Sequence, residues 1–232
     1  IIHVTHNGEF ATCRRVKTYI ENKGILDDLD VRASDLLQSN CVVWVEGPSY
    51  RLYFNEWISL WTDGELKEGA HYQCVPYGGR LLAHLSAKED ESGEATGVEI
   101  LKVNGNAMIL IDSDKKSAGQ AINATKKRII SEIESVGGFS WVTKGKEIEN
   151  YIPVAALRKH FQKDELPESQ PYADIKDYLN DINEGDGDKY KDNKVLFAEN
   201  ICQHLTKEML VDVLDSKEKI AQASEKIKSW NR

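Results

Sequence analysis

No stretch of this 232-residue chain holds the roughly 18 to 20 consecutive apolar residues that a membrane-spanning helix needs, so no such helix is expected. No basic segment followed by an apolar run opens the chain, so no secretory signal is expected either. The chain begins at Ile1 rather than Met, and is expected to be a piece of something longer. None of the four cysteines (Cys13, Cys41, Cys74, Cys202) lies in a CxxC pair, which argues against a zinc ribbon. At this length a disulfide framework is not needed. Reduced, mostly buried thiols and a cytoplasmic location are the expectation. The six histidines show neither HxH nor HExxH spacing, so no histidine metal site announces itself. There is also no GxxxxGK[ST] loop, so this chain cannot cradle a nucleoside triphosphate on its own.

An overall basic charge is missing too. The net charge is −8, whereas a protein gripping nucleic acid mainly through phosphates needs a basic face. The average misleads, because residues 162 to 192 hold ten acids and four lysines, net −6, leaving −2 for the other 201 residues. That acidic stretch is expected to be mobile.

What is present is a soluble-type composition with enough apolar surface for a core. Four short apolar runs read as strands: Cys41–Val45, His71–Pro76, Ala107–Ile111 and Phe139–Val142. Between and after them lie amphipathic segments. Tyr50–Trp61 carries an apolar stripe of Leu52, Tyr53, Trp57, Leu60 and Trp61, expected in the core rather than as base-stacking platforms. Helices are also expected over Ala33–Leu37, Arg80–Ala87, Ser117–Val136, Val154–Phe161, Lys194–Leu205, Lys207–Leu214 and Ser216–Trp230. Gly137-Gly138 is expected to stop the fourth of these eight helices, and residues 88 to 97 read as a surface loop. The N-terminal Ile1–Val4 reads as a strand ending at a turn, and Thr12–Lys23 fits a helix or a strand pair equally. The alternation of buried strand and amphipathic helix argues for an α/β fold, a mostly parallel sheet with flanking helices and a helical C-terminal extension.

In such sheets function sits at the carboxyl ends of the strands, and here those ends carry acids. Cys41–Val45 runs into Glu46, Ala107–Ile111 into Asp112 and Asp114, and Phe139–Val142 leads to Glu147 and Glu149. Carboxylates gathered at one edge repel each other and stay ionised easily only with cations among them. Hard oxygen ligands suit Mg²⁺ or Mn²⁺. Asp112 and Asp114 flank Ser113, and alternate residues of an extended segment face the same way, so both could point at one site. Two ions about 4 Å apart would stabilise the attacking and leaving oxygens of a phosphodiester displacement. Glu46 could bind an ion or take the nucleophile's proton.

Four motifs occur in order: Val42-Val43-Trp44-Val45-Glu46-Gly47-Pro48-Ser49, Tyr77-Gly78-Gly79-Arg80, Ile109-Leu110-Ile111-Asp112-Ser113-Asp114 and Gly145-Lys146-Glu147-Ile148-Glu149-Asn150-Tyr151. Together they resemble a Toprim domain, and more narrowly that of the OLD (overcoming lysogenization defect) family of ATP-dependent endonucleases. The resemblance covers about Ser39 to Tyr151, and more weakly reaches Ala198. It implies metal-dependent cleavage of DNA, with Glu46 as the motif glutamate, Asp112 and Asp114 as the paired aspartates, and Glu147 or Glu149 as a further ligand. It also implies a charge-stabilising downstream lysine, best matched by Lys194. The family's first motif usually reads Glu-Gly-x-x-Asp, but the last position here is Tyr50. A phenol with a pKa near 10 does not replace a carboxylate as a Mg²⁺ ligand at neutral pH.

Ile1–Asn7 resembles the last core strand and switch histidine of ABC-type ATPases, the domain that precedes Toprim in OLD proteins. His6 would then match the γ-phosphate sensor, with ATP bound only through an ATPase portion absent from this chain. The implied organisation is residues 1–38 as the end of that ATPase domain and a linker, 39–160 as the Toprim core, and 161–232 as the acidic loop and helical extension. A homodimer and a defence-system partner protein are expected on the same resemblance, and no membrane. Basic residues placed to meet DNA phosphate include Arg80, Lys115, Lys116, Lys144 and Lys146, whereas Lys126-Lys127-Arg128 reads as a solvated helix face. Two alternatives compete with a nuclease. One is another Toprim enzyme, although a primase's zinc-binding cysteines and room for a topoisomerase's gate domains are missing. The other is a degenerate Toprim acting as a dimerisation or regulatory module, which Tyr50 favours.

Overall fold

The computed structural model describes residues 39–77 and 105–232 in full, and the backbone alone of four short strands outside them. In chain order the strands are β1 (Ile2–His6), β2 (Ala11–Arg15), β3 (Val42–Val45), β4 (Gln73–Pro76), β5 (Leu85–Ser86), β6 (Val98–Glu99), β7 (Ala107–Ile111) and β8 (Phe139–Val142). The helices are α1 (Pro48–Trp61), α2 (Ala124–Ser135), α3 (Val154–Phe161), α4 (Ile175–Ile182), α5 (Asp186–Asp192), α6 (Lys194–Cys202) and α7 (Ser216–Trp230).

The four apolar runs form one four-stranded sheet in the order β4-β3-β7-β8, every pair parallel. Period-two alternation sends their side chains to opposite faces. Cys41, Val43, Val45, Met108, Leu110 and Trp141 enter the larger core, under α1 and the C-terminal helices. Val42, Trp44, Ala107, Ile109 and Ile111 enter a smaller core, closed by Ile129 and Ile133 of α2. Both faces are thus covered, as continuous apolar strands require. With helices flanking the sheet, this is the α/β architecture expected from the sequence.

Helix α1 starts where Gly47 is extended and Pro48, at the first helical position, needs no N–H partner. Its buried side chains are Ser49, Tyr50, Tyr53, Phe54, Trp57 and Ile58, so the stripe is rotated from the expected one, and Leu52, Leu60 and Trp61 pack only at its margin. Trp57 meets Trp141 of β8 at 5.5 Å and Tyr151 at 5.8 Å between ring centroids, which anchors α1 against the sheet's far edge. That anchor places Tyr50, two turns earlier, over the strand ends.

Several expected boundaries shift. Helix α2 begins at Ala124 rather than Ser117, because Asn123 caps it by accepting from the Lys126 N–H at 2.8 Å. Gly137, at φ +82, ends it, and Gly138 lies so close to Ile133 and the Ala107 carbonyl that a Cβ would collide. The acidic stretch, expected to be mobile, contains α4 and α5. Ile175, Tyr178, Leu179 and Ile182 form a buried stripe at helical spacing, while the acids face outward. Of Lys207–Leu214 only Glu208–Leu210 is helical, as a 3-10 turn, and the helix from Lys194 stops at Cys202. The expected helix Arg80–Ala87 falls largely outside the described residues. Its described pair Leu85–Ser86 is a strand, parallel to Val98–Glu99. At the N-terminus β1 runs through His6 and pairs antiparallel with β2. The helix expected at Ala33–Leu37 and the loop expected at 88–97 lie outside the described residues.

Cys41 and Cys74 are buried free thiols and Cys202 is a half-buried one, while the Cys13 side chain lies outside the described residues. Burial pushes Cys41 and Cys202 up to about 12, so both stay protonated and unreactive. No described helix is long and apolar enough to cross a membrane.

Candidate active site

Parallel pairing brings the acidic strand ends side by side. Trp44 is in register with Ile109 and Ile111 with Val142, so Glu46, Asp112 and the segment after Val142 emerge from one edge. Neighbouring strands lie about 4.8 Å apart.

Asp112 is the most constrained acid. Its Oδ2 accepts from the Tyr50 phenol, and its Oδ1 is buried with no hydrogen-bond partner. Burial drives its pKa well above the usual carboxylate range, and the charges of Glu149 and Glu46 add to that, against a lowering by the Tyr50 bond. The Tyr50 hydroxyl is itself pushed far up, by burial and then by Asp112, Glu149 and Glu46. It is therefore a fixed donor at neutral pH. Next to it, Ser113 is locked between loops: its N–H donates to Thr143 Oγ1 at 2.8 Å and its hydroxyl to the Gly145 carbonyl at 2.5 Å.

The segment does not stay extended after Asp112. Asp114 has φ +53, the left-handed region that Asp tolerates better than most residues, and its N–H donates to the Lys146 carbonyl at 2.9 Å. Its carboxylate, 66% exposed, is therefore not simply aligned with that of Asp112, as strand alternation would have it, and pairs with Lys126. Lys126 is not on a solvated face. It is 5% exposed, and its Nζ donates both to the Asp112 carbonyl, at 2.6 Å, and to Asp114 Oδ2.

The later acidic motif divides its roles. Glu147 does structural work: its Oε1 accepts from the Ile175 N–H at 3.1 Å, tying the site to α4, while its own N–H donates to Asn150 Oδ1 at 2.9 Å. Glu149 is 1% exposed, and neither carboxylate oxygen meets hydrogen-bond geometry, although the Tyr190 hydroxyl lies near enough to lower its pKa. Burial, opposed by Lys194 and supported by Glu147, pushes it up to about 6. Lys194, at the start of α6, has its Nζ 3.9 Å from Glu147 Oε2 and 3.9 Å from Glu149 Oε1, and 4.9 Å from the centre of the Tyr190 ring. Glu46 is half-buried. Burial raises its pKa, with Lys126 lowering it, Asp114 raising it, Lys194 lowering it and Glu147 raising it, so its carboxylate lies in the field of those four groups.

The structure thus gathers Glu46, Asp112, Asp114, Glu147, Glu149 and Lys194 at one edge. Sequence reasoning passed over the donor role of Tyr50 and the buried ammonium of Lys126. The signal for Lys126 was its spacing: with Ile129 and Ile133 it makes an i, i+3, i+7 face. Elsewhere, Lys146 pairs with Asp174 at 2.5 Å, Lys144 and Lys116 are exposed, Lys115 is half-buried, and Arg80 lies outside the described residues. His6 sits in β1, and its side chain also lies outside the described residues. A groove lined by Leu52, Glu56, Tyr72 and Cys202 lies elsewhere, with none of Glu46, Asp112, Asp114, Glu147 or Glu149 in its wall.

Five carboxylates face two ammonium groups here, an excess of three negative charges when all are ionised. The buried, unbonded oxygens of Asp112 and Glu149 fit a hard divalent cation. Among the described residues, however, no three His, Cys, Asp or Glu side chains lie close enough together to hold a metal ion as they stand.

The fold and edge define a parallel α/β domain with an acidic, partly buried carboxyl-end site. No model of a known protein family matches the chain, and no curated protein matches it in sequence. Among solved structures, the C-terminal region of the Burkholderia pseudomallei OLD protein is similar, at 15% identity and a TM-score of 0.45, covering 80% of this chain and 98% of that one. A likeness at that level bears on neither activity nor site residues, which stand on the geometry of this chain.

Proposed function

We propose that this chain is a phosphodiesterase module that cleaves DNA with Mg²⁺ or Mn²⁺. One observation supports the reading: Glu46, Asp112 and Glu149 follow three neighbouring strands of one parallel sheet, Asp112 feels the charges of both glutamates, and Asp112 Oδ1 is buried without a hydrogen bond. Such a cluster opposes folding unless a cation or protons neutralise it, so its presence argues for function. Glu46, Asp112 and Glu149 would hold the ion, which would supply Lewis-acid stabilisation of charge on a phosphoryl group.

The protein's own groups divide the remaining work. Glu46, half-buried and raised in pKa, suits a base that takes the proton of an attacking water. As the new O–P bond forms, the bond to one bridging sugar oxygen breaks and that oxygen leaves as an alcohol once protonated from solvent. Tyr50 orients Asp112 through its donated bond. Lys194 offsets charge on the phosphoryl oxygens from the open side of the site. DNA as substrate, an attached ATPase whose bound γ-phosphate His6 senses, a homodimer, a defence-system partner and a cytoplasmic location belong to the same proposal. They rest on the ordered motifs' resemblance to the OLD family.

A plasmid-nicking assay with Mg²⁺ or Mn²⁺ tests this reading. Nicking is expected, and is lost in Glu46→Ala and Asp112→Ala; nicking that survives both changes rejects the site. A second reading, a degenerate Toprim serving as a regulatory module, is favoured by the engagement of Asp112 by Tyr50 and of Asp114 by Lys126. It expects neither nicking nor divalent-ion binding.

A further inference from the structure

We infer that Lys126 is a built-in cation occupying one of the two ion positions that a pair of aspartates would serve, so that this site takes a single divalent ion. The inference rests on the proposed metal-dependent reading and departs from it in the number of ions.

The geometry is specific. Lys126 leaves the first turn of α2 on the same face as Ile129 and Ile133, which are packed under the sheet, so its stem is held in the core. A lysine this buried is rare unless paired, and it is paired twice, with the Asp112 carbonyl at 2.6 Å and the Asp114 carboxylate. Both partners are themselves held. The Asp114 turn is pinned by its N–H bond to the Lys146 carbonyl at 2.9 Å, and the Lys115 N–H donates to Ser113 Oγ at 3.2 Å. An ammonium group has three donors and no lone pair, so it satisfies oxygens as a cation does and repels any ion brought to the same oxygens.

Tyr50 closes the other route to a second ion. The position that carries Asp in the resembling motif carries a phenol here, and its hydroxyl occupies Asp112 Oδ2. What remains outside hydrogen-bond geometry is Asp112 Oδ1 and both oxygens of Glu149, all buried, with the Tyr190 hydroxyl near Glu149 and the Glu46 charge felt at Asp112. Drawn together on an ion, that set would serve one and not two. The two departures, Tyr50 and Lys126, are complementary: a carboxylate is lost from the edge, and a positive charge belonging to the chain is gained next to the remaining pair.

Titration of the 232-residue chain with Mn²⁺, read by the loss of the free-ion paramagnetic resonance signal, tests this without any activity measurement. The chain should bind about one ion, and Lys126→Met should bind about two, because Asp114 is released to serve as a ligand. Asp114→Asn alters an exposed carboxylate and should fold even if the lysine variant does not. It should leave the ion count unchanged and lower the affinity by no more than about 5-fold, since Asp114 pairs with Lys126 and reaches the ion site only through its exposed charge. Two ions bound by the unaltered chain, an unchanged count in a folded Lys126→Met, or an ion lost in Asp114→Asn would each overturn the inference and leave the nuclease reading standing. No ion bound by the chain or by either variant would overturn both.

Discussion

The Tyr50 hydroxyl donates to Asp112 Oδ2 across 62 residues of sequence, joining the first turn of α1 to the end of β7. This bond decides which oxygen of the central aspartate is free. Replacing Tyr50 by Phe leaves both Asp112 oxygens buried without a donor. The expected destabilisation is about 1–3 kcal/mol, the usual penalty for a buried polar group that loses its partner. Urea denaturation should show a lower midpoint with an unchanged slope. An unaltered midpoint would mean the bond contributes nothing.

The buried acids make stability depend on pH in a definite direction. Glu149 titrates near 6 in the folded chain against an ordinary 4.5, so the folded state holds its proton more tightly. Its contribution is fully present below about 4.5 and is lost as pH rises through about 6. In EDTA the melting temperature should therefore fall between pH 5 and pH 7.5 more steeply for the unaltered chain than for Glu149→Gln. Added Mg²⁺ should raise it at the upper pH, where the carboxylates are ionised and the ion binds only the folded state. Identical pH profiles for the two chains would contradict this account.

Lys194 stands where its charge faces both Glu149 and solvent. Lys194→Ala should lower the nicking rate about 10²-fold or more, the scale seen when a single group stabilising transition-state charge is removed. Mn²⁺ affinity should not weaken, because removing a nearby positive charge favours cation binding. A parallel loss of Mn²⁺ affinity and nicking would instead make Lys194 an organiser of the ion site.

Gly187 tests whether the acidic stretch is folded. A Cβ there would run into the Lys176 carbonyl and the Asn180 amide, where α5 packs against α4. Gly187→Ala should destabilise the chain by about 1–3 kcal/mol and speed hydrogen exchange over residues 175 to 192. Exchange that is already fast in the unaltered chain would show that this stretch is not packed.

Much of the fold was legible locally. Cys41–Val45 and Ala107–Ile111 are apolar at every position, a pattern only a doubly covered strand tolerates, and both are central strands. The end of α7 was readable to the residue, because the polar and apolar positions of Ser216–Trp230 keep helical spacing throughout. Net charge was a poor guide to residues 162 to 192: the acids sit on outward faces, while a few residues such as Ile175 and Leu179 provide enough burial to order the helices. The early start expected for α2 ignored Asn123, whose side chain competes for the first N–H groups.

The acids of the site were visible in sequence because strand ends can be read from apolar runs, and acids that follow such runs must gather wherever the strands are parallel neighbours. Their partners were not visible. That Tyr50 donates to Asp112, that Asp114 turns to Lys126, and that Lys194 reaches Glu149 depend on how α1, α2 and α6 dock on the sheet. Sequence alone determined the strands and the negative charge at their ends, since both follow from residue type and local periodicity. Only the tertiary structure decided which charges are neutralised from within the chain, because that depends on distances between segments far apart in sequence, and electrostatic energy in a poorly solvated site changes steeply with distance.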